Sequence, residues 1–488
     1  MTILKRSFSP LKIQHLSTTV ISHLPGKNTS AASDQKQQKS SDSSKHAKKK
    51  SLKKIPTYLN ESEYIKKELP KPFGNFLLNT RMKTHQELEV SPLEYLQTVC
   101  SDSSILVNPD TTDRIVNLIL NHTRKGRETI FYDNMTGFCL ISAGIIKSKK
   151  FKRIKILPTD HCLQPLMQFS LDENILDRKY FKLHPSTFRC SSIAAKALRL
   201  GIFHPTPFLP LNPQPGWDKQ SPPYTLVSTV SDGFVKYLTM AVLYRKQGTS
   251  FTDFRECRPE FFFFMSAPTY FHICGGVPDM SPATHPLPPR LMQKKQEKTK
   301  IVNKFNIKIT TLFRLLFDFY LIDTLPASSF LPWRQNRVSS VGEKSNYDKY
   351  ADQQLLVYIR PKQNPGIHLS NPAHLQYFIE VLMRKKKSVT VLPILESWMP
   401  GLGQELIRLN HSVFTTPADL KLSDLVHLFN HLVQHQLFKN SSFKAAAETA
   451  EQFTQQGTGD NEKEIDKAKK RMLRKLRKRS APESLVKL

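Results

Sequence analysis

Apolar positions along this chain change their period several times, and each change marks an element. Between Asp110 and Leu120, Ile115, Leu118 and Ile119 recur three to four residues apart, which predicts a helix capped by Thr111 or Thr112. An apolar stretch at 129–133 predicts a strand, 138–147 a helix and 153–158 a second strand, together one βαβ unit. A second strand–helix pair is expected at 225–230 and 234–246, and Phe261 to Met265 reads as a further strand. From Pro372 onward the period is helical. Leu375, Phe378, Ile379 and Leu382 share one face, Val391, Ile394 and Leu395 another, and Leu422, Leu425, Leu428 and Leu432 a third. Strands alternating with helices, then helices alone, predict an α/β domain followed by a small helical domain.

The expected order is a basic tail (1–54), an arm of short helices (55–100), the α/β domain (101–365), the helical domain (366–438) and a polar linker with a basic helical tail (439–488). Insertions are expected near 203–223, which holds seven prolines, near 277–300 and near 334–352. There are no internal repeats. No run of about eighteen apolar residues predicts a membrane span; the best stretch, Leu312 to Ile322, is short and contains Arg314 and Asp318.

Charge changes the picture. The chain carries a formal +31, from 72 Lys and Arg against 41 Asp and Glu. The first 54 residues account for +10 and residues 462–479 for +7, so the body keeps +14 and is expected to face a polyanion. No acid precedes Asp34, while Lys5, Arg6, Lys12 and Lys27 alternate with apolar residues. That composition suits a mitochondrial transit peptide, with an ordinary disordered tail as the alternative. Residues 35–54, with eight lysines, read as disorder. The six cysteines (100, 139, 162, 190, 257 and 274) form no CxxC or CxxH pair, so neither zinc nor a disulfide framework is indicated.

The stretch Ile130 to Gly144, IFYDNMTGFCLISAG, sits where a strand, a turn and a helix would cradle a nucleotide-like cofactor. An apolar run ends in Asp133 and Gly137 follows, but Phe138 and Cys139 crowd a turn that would need further glycine. Lys147, Lys149, Lys150, Lys152, Arg153 and Lys155 form a basic cluster, read either as a solvated turn or as a phosphate contact. Arg360, Lys362, Lys385, Lys386, Lys387 and the 463–479 segment are similar candidates. His427, His431 and His435 lie one helical turn apart. With no carboxylate or cysteine beside them at ligand spacing, they read as a solvated face, and no metal is expected. The P-loop, HExxH and GxSxG patterns are absent.

Several segments together carry a resemblance. "YIRPKQN" (358–364), "MRKKK" (383–387), "VTVLPILESWMPGLGQELI" (389–407) and "FDFYLIDTLPASSFLPW" (317–333) follow in the order and spacing of the rRNA adenine N6,N6-dimethyltransferases. The chain most resembles their mitochondrial transcription factor B branch, and within it the second animal paralogue, over about residues 95–435, roughly 70% of its length. The resemblance implies a class I methyltransferase (Rossmann-like) fold with a C-terminal helical domain. It implies S-adenosyl-L-methionine as the ancestral cofactor and a place in the mitochondrial matrix and nucleoid. Implied partners are the mitochondrial RNA polymerase, promoter DNA and small-subunit rRNA. Three functions follow as alternatives: a transcription initiation factor, an active rRNA dimethyltransferase, or a mitoribosomal RNA-binding protein.

The resemblance also marks what is missing. In "SSILVNP" (103–109), Ser103 and Ser104 stand where the family has its cofactor-contacting pair. Asp133 and Gly137 match the glycine motif, Thr136 replaces its proline, Cys139 its second glycine, and Ser142 stands for a threonine. The ribose-binding acid aligns with Pro158, leaving Asp160 as a remnant, and the adenine-reading acid aligns with Lys179. The catalytic Asn-Leu-Pro-aromatic tetrad falls on Thr229, Val230, Ser231 and Asp232. A proline side chain offers no acceptor and a lysine only donors. Losing a hydrogen bond to a buried group costs about 1–3 kcal/mol, and no aromatic stacks a flipped base at position 232. Methylation is therefore expected to be weak or lost.

Overall fold

The central sheet takes its order from strands that are apolar on both faces. In the computed structural model the described residues are 61–83, 89–98, 104–123, 129–134, 137–151, 153–156, 164–176, 217, 222, 224–230, 232–245, 258–275, 307–332, 353–384 and 389–456. The transit-peptide and disorder expectations for 1–54, the insertions at 277–300 and 334–352, nearly all of 203–223, and the 463–479 tail lie outside them. So do Ser103, Thr136, Lys152, Pro158, Asp160, Lys179, Ser231 and Lys385 to Lys387.

Six strands form the sheet: β1 (Ile130–Asp133), β2 (Arg153–Ile156), β3 (Tyr224–Thr229), β4 (Glu260–Ser266), β5 (Phe317–Pro326) and β6 (Gln353–Pro361). Their spatial order is β2-β1-β3-β4-β6-β5. The first four run parallel, and β6 pairs antiparallel with both β4 and β5. Strand β4, EFFFFMS, shows why the sheet is sandwiched. Side chains alternate across a strand, so Phe261 and Phe263 enter one core while Phe262 and Phe264 enter the other. All four are fully buried.

Helices cover both faces, giving a mixed α/β fold whose sheet is mostly parallel. An arm precedes the first strand: α1 (Glu61–Glu68), α2 (Lys71–Asn79), α3 (Pro92–Thr98) and then α4 (Pro109–His122). The cap of α4 is Asn108, whose side chain accepts from Thr111 N–H at 3.0 Å, not Thr111 or Thr112 as expected. Pro109 at the first helical position fixes that boundary. Helix α5 (Leu140–Ser148) joins β1 to β2, and α6 (Gln164–Asp172) follows. Ile115, Ile119, Ile141 and Ile145 pack α4 and α5 on one face of the sheet. Gly144 allows their close approach, since a Cβ there would stand 2.6 Å from Val116 Cγ2.

On the opposite face lie α7 (Asp232–Leu243), α8 (Ala267–Cys274) and α9 (Ile307–Leu316). The apolar run Leu312 to Ile322 crosses an element boundary, because α9 passes directly into β5. The C-terminal helices are α10 (Pro372–Arg384), α11 (Leu392–Trp398), α12 (Gly403–Arg408), α13 (Leu422–Gln434) and α14 (Ser442–Gln456). Their apolar faces match the expected ones, with Leu375, Phe378, Ile379, Leu382, Leu425, Leu428 and Leu432 all buried. They share one contiguous core with Phe261 and Phe263 of the sheet.

One expectation is corrected. Residues 442–456 do not form a polar linker but helix α14, anchored by Phe443 and Ala447 one turn apart, at 0% and 1% exposure. The Phe443 ring meets Trp398 at 5.0 Å and Tyr377 at 5.5 Å between centroids. A long polar face hides this short apolar stripe. Phe443→Ala is expected to lower stability by about 3–5 kcal/mol in denaturant unfolding; a linker residue would leave it unchanged.

Candidate functional site

In an open α/β sheet, ligands bind outside the carboxyl ends of the strands, where the strand order reverses. Here that place lies between β1 and β3, since the chain leaves β1 toward β2 and returns on the other side as β3. Asn134 bridges the crevice mouth. Its backbone N–H donates to Val227 O at 2.9 Å and its Nδ2 donates to Ser228 Oγ at 2.9 Å.

Asp133 ends β1 fully buried. One carboxylate oxygen accepts from both the backbone N–H of Ser142, at 3.1 Å, and its hydroxyl, at 2.6 Å. The charge is thus held in the first turn of α5, where orphan N–H groups and the helix dipole favour an anion. Gly137 serves packing. A Cβ there would stand 1.8 Å from Ile105 Cγ2, on the short strand that leads from the arm to α4. Phe138 is fully buried, its ring centroid 4.8 Å from Phe73, 5.5 Å from Phe169 and 6.1 Å from Phe76. Two of those partners belong to α2, so the arm closes over the turn.

Cys139 keeps the backbone of a glycine without being one. It lies in the left-handed region at φ 52°, ψ 29°, which costs a non-glycine residue about 1–2 kcal/mol. Its side chain packs with Ala143, Ile156, Met167 and Leu171. Burial first, and then the charge of Asp133, push the thiol well above its ordinary value, so it is a packing group and not a nucleophile.

The positions expected for a catalytic tetrad lie at the end of β3. Thr229 is half-buried, and its carbonyl accepts from the Ser228 hydroxyl at 3.0 Å. Val230 is buried, its N–H donating to Phe264 O at 2.9 Å. Asp232 opens α7 and faces His272 of α8, Oδ2 to Nδ1 at 2.8 Å. A carboxylate–imidazole pair therefore occupies the position that the sequence resemblance assigns to an aromatic. Burial works to raise the Asp232 carboxyl. Hydrogen bonds from His272 and Thr269 and the charge of His272 outweigh that and hold it low. The bond to Asp232 chiefly raises His272.

The basic candidates separate. Lys147, Lys149, Lys150 and Arg153 are exposed, at the end of α5 and the start of β2. Since α5 runs back against the parallel strands, this cluster sits at their amino ends, the opposite edge from the crevice. Lys149 closes α5 in the left-handed region, where a cation offsets the helix dipole, and Lys150 Nζ reaches Leu120 O at 3.0 Å. Lys155 is half-buried over the Tyr132 ring at 5.5 Å, its ammonium lowered by burial and then by Arg153. Arg360 is corrected outright. It is 2% exposed, inside the sheet, 3.7 Å from the buried carboxylate of Glu260. Lys362 donates to Arg314 O at 2.8 Å and is half-buried. Arg360 lies within β6 and Lys362 just beyond its end, and both side chains turn into the fold.

His427 and His431 do have a carboxylate beside them. Glu405 of α12, 4% exposed, lies 3.2 Å from His427 Nε2 and 3.7 Å from His431 Nδ1, and also meets Arg408. Burial works to raise Glu405, and its histidine and arginine neighbours hold it low. The partner comes from another helix, which sequence spacing does not show. Among the described residues no group of three or more His, Cys, Asp or Glu is placed to hold a metal ion, and no helix is long and apolar enough to cross a membrane.

No protein-family model matches the chain, and no curated protein matches it. Among solved structures, the chain is similar to a dimethyladenosine transferase from Plasmodium falciparum. The TM-score is 0.37 and the identity 10%, covering 66% of this chain and 95% of that one. At that score and identity the likeness bears on neither substrate nor cofactor.

Gly137→Ala is expected to destabilise the fold by about 1–3 kcal/mol through the clash with Ile105, and adding Ile105→Ala is expected to cost less than the two single changes summed. Additivity in thermal unfolding would refute that contact. The Asp232–His272 pair has a pH window. Asp232, with its lowered value, contributes above 3.8 and loses that contribution as pH falls through its folded value. His272, with its raised value, contributes below 6.5 and loses that contribution as pH rises through its folded value. In Asp232→Asn, proton NMR should show His272 titrating at lower pH than in the wild type; an unmoved titration would rule the pair out.

Proposed function

We propose that this chain is a nucleic-acid-binding factor of mitochondrial transcription initiation, built on a degenerate class I methyltransferase fold. In this reading it assists the mitochondrial RNA polymerase in opening promoter DNA. The observation that supports it is the crevice. Asp133 is held by Ser142, Gly137 abuts Ile105, Phe138 is locked among Phe73, Phe76 and Phe169, and Asp232 is paired with His272. Ser103, Pro158, Asp160 and Lys179, which the resemblance places against S-adenosylmethionine, lie outside the described residues, and no chemical step is routed through it. A chain of +31 charge retains the other ancestral property, affinity for a polyanion. The initiation role itself comes from the sequence resemblance.

Lys147, Lys149, Lys150 and Arg153 are the exposed cations best placed to meet phosphates. Their position at the amino edge of the strands favours a backbone grip away from the old crevice. Such contacts add affinity and salt dependence without sequence choice. The second reading, an active rRNA dimethyltransferase, keeps one observation on its side. Cys139 preserves the left-handed turn of a glycine-rich loop.

Run-off transcription with the cognate polymerase and promoter tests the proposal, which predicts dependence on this factor. Absence of stimulation would favour a mitoribosomal RNA-binding role. Dimethyladenosine formed on the small-subunit rRNA hairpin would favour the methyltransferase. Changing Lys147, Lys149, Lys150 and Arg153 together to Ala should make the slope of log affinity against log salt on duplex DNA shallower. The expected reduction is about 0.9 for each phosphate the variant leaves unneutralised. An unchanged slope would remove this cluster from the interface.

A further inference from the structure

His374 is buried without a hydrogen-bond partner. It stands in the first turn of α10 at 5% exposure, and neither ring nitrogen meets a donor or acceptor among the described residues. Aromatic rings enclose it instead. Its centroid lies 5.4 Å from Phe438, on the short 3-10 helix Gln436–Asn440, and 6.2 Å from Phe443 of α14, both in edge-to-face contact. Burying an unpartnered polar group is costly, and burying a charge far more so. The seat therefore accepts the neutral imidazole and excludes the imidazolium. The positive end of the α10 dipole opposes the charged form as well.

The charged groups around the ring do not reverse this. Burial pushes His374 below its ordinary value of 6.5. Glu448 and Glu451 of α14 oppose that without prevailing, and Lys444 of the same helix adds to it. Glu451 already accepts from Asn371 Nδ2 at 3.3 Å. On α10, Glu380 is paired with Lys308 of α9. Tyr377 of α10 and Tyr244 of α7 are pushed up by burial first, so both stay neutral. On the 3-10 helix Lys439 is exposed, and His435 at its cap accepts from Leu437 N–H at 3.2 Å. The helix that closes over His374 is lightly held. Among the described side chains of α14 only Phe443 and Ala447 are buried, and Ser442 Oγ fixes its start by donating to Ser397 O at 2.6 Å.

We propose that His374 is a proton-operated latch on α14. As the neutral imidazole it completes the apolar seat of Phe443. As the imidazolium it must reach water, and α14 leaves its seat on α10. The sign follows from linkage. The open state binds the proton more readily than the closed one, so the closed state is fully stable above 6.5 and loses stability as pH falls from there through the folded value of His374.

Hydrogen exchange of the full chain, read as protection factors from about pH 8 to about pH 5, tests the latch. In the wild type the α14 amides are expected to lose protection below 6.5 by up to about tenfold for each pH unit, the limit for one proton, while β4 at the centre of the sheet keeps its protection. His374→Phe retains a ring of similar size and is expected to hold α14 protected across the range. Proton NMR of the wild-type chain reads the same group whether or not the variant folds, and His374 is expected to titrate below 6.5. A His374 that titrates at or above 6.5 would overturn the latch, as would α14 protection that does not change with pH. A loss as large in His374→Phe as in the wild type would overturn it by assigning the effect to Glu448 and Glu451. An equal loss in β4 would overturn it by showing acid unfolding of the whole fold.

Discussion

The packing of Phe138 against the arm is the contact on which the functional reading turns. A single ring sits where β1 gives way to α5, and Phe73 and Phe76 of α2, with Phe169 of α6, enclose it. This one cluster ties the arm to the sheet and fixes the turn after Asp133. It also occupies space beside the crevice between β1 and β3. An aromatic cluster of this kind gains burial and edge-to-face contact together.

The neighbouring residues are consistent with that constraint. Asp133 and Ser142 satisfy each other, so a buried charge is held without a ligand. Gly137 and Gly144 allow close approach of Ile105 and Val116, protein atoms in both cases. Cys139 accepts a strained backbone and fills the space beneath it. The contacts of the turn are therefore with protein groups. At the far edge of the same strands, Lys147, Lys149, Lys150 and Arg153 stay in solvent, so polyanion contact and the old crevice need not compete.

Much of the fold is legible in the sequence because burial leaves a periodic trace. The βαβ unit, the phenylalanine strand and the apolar faces of α10 and α13 follow from spacing alone. The cap of α4 is obscured because Asn108 precedes a proline and two threonines that compete as caps. Helix α14 is obscured because Phe443 and Ala447 are a thin stripe in a polar stretch. The site is less legible. Its matching residues, Asp133 and Gly137, are evident, but their partners Ser142 and Ile105 are set by tertiary packing. Arg360 looks like a nucleic-acid contact because sequence shows charge without direction, and strand alternation turns it toward Glu260. His272 and the histidine partners of Glu405 leave no sequence signal, since those pairs form only across two helices.

Isothermal titration of the purified full chain with S-adenosylmethionine tests the central claim most directly. With the turn after Asp133 packed against the arm through Phe138, no measurable binding is expected at millimolar ligand. A micromolar dissociation constant at one site per chain would contradict it.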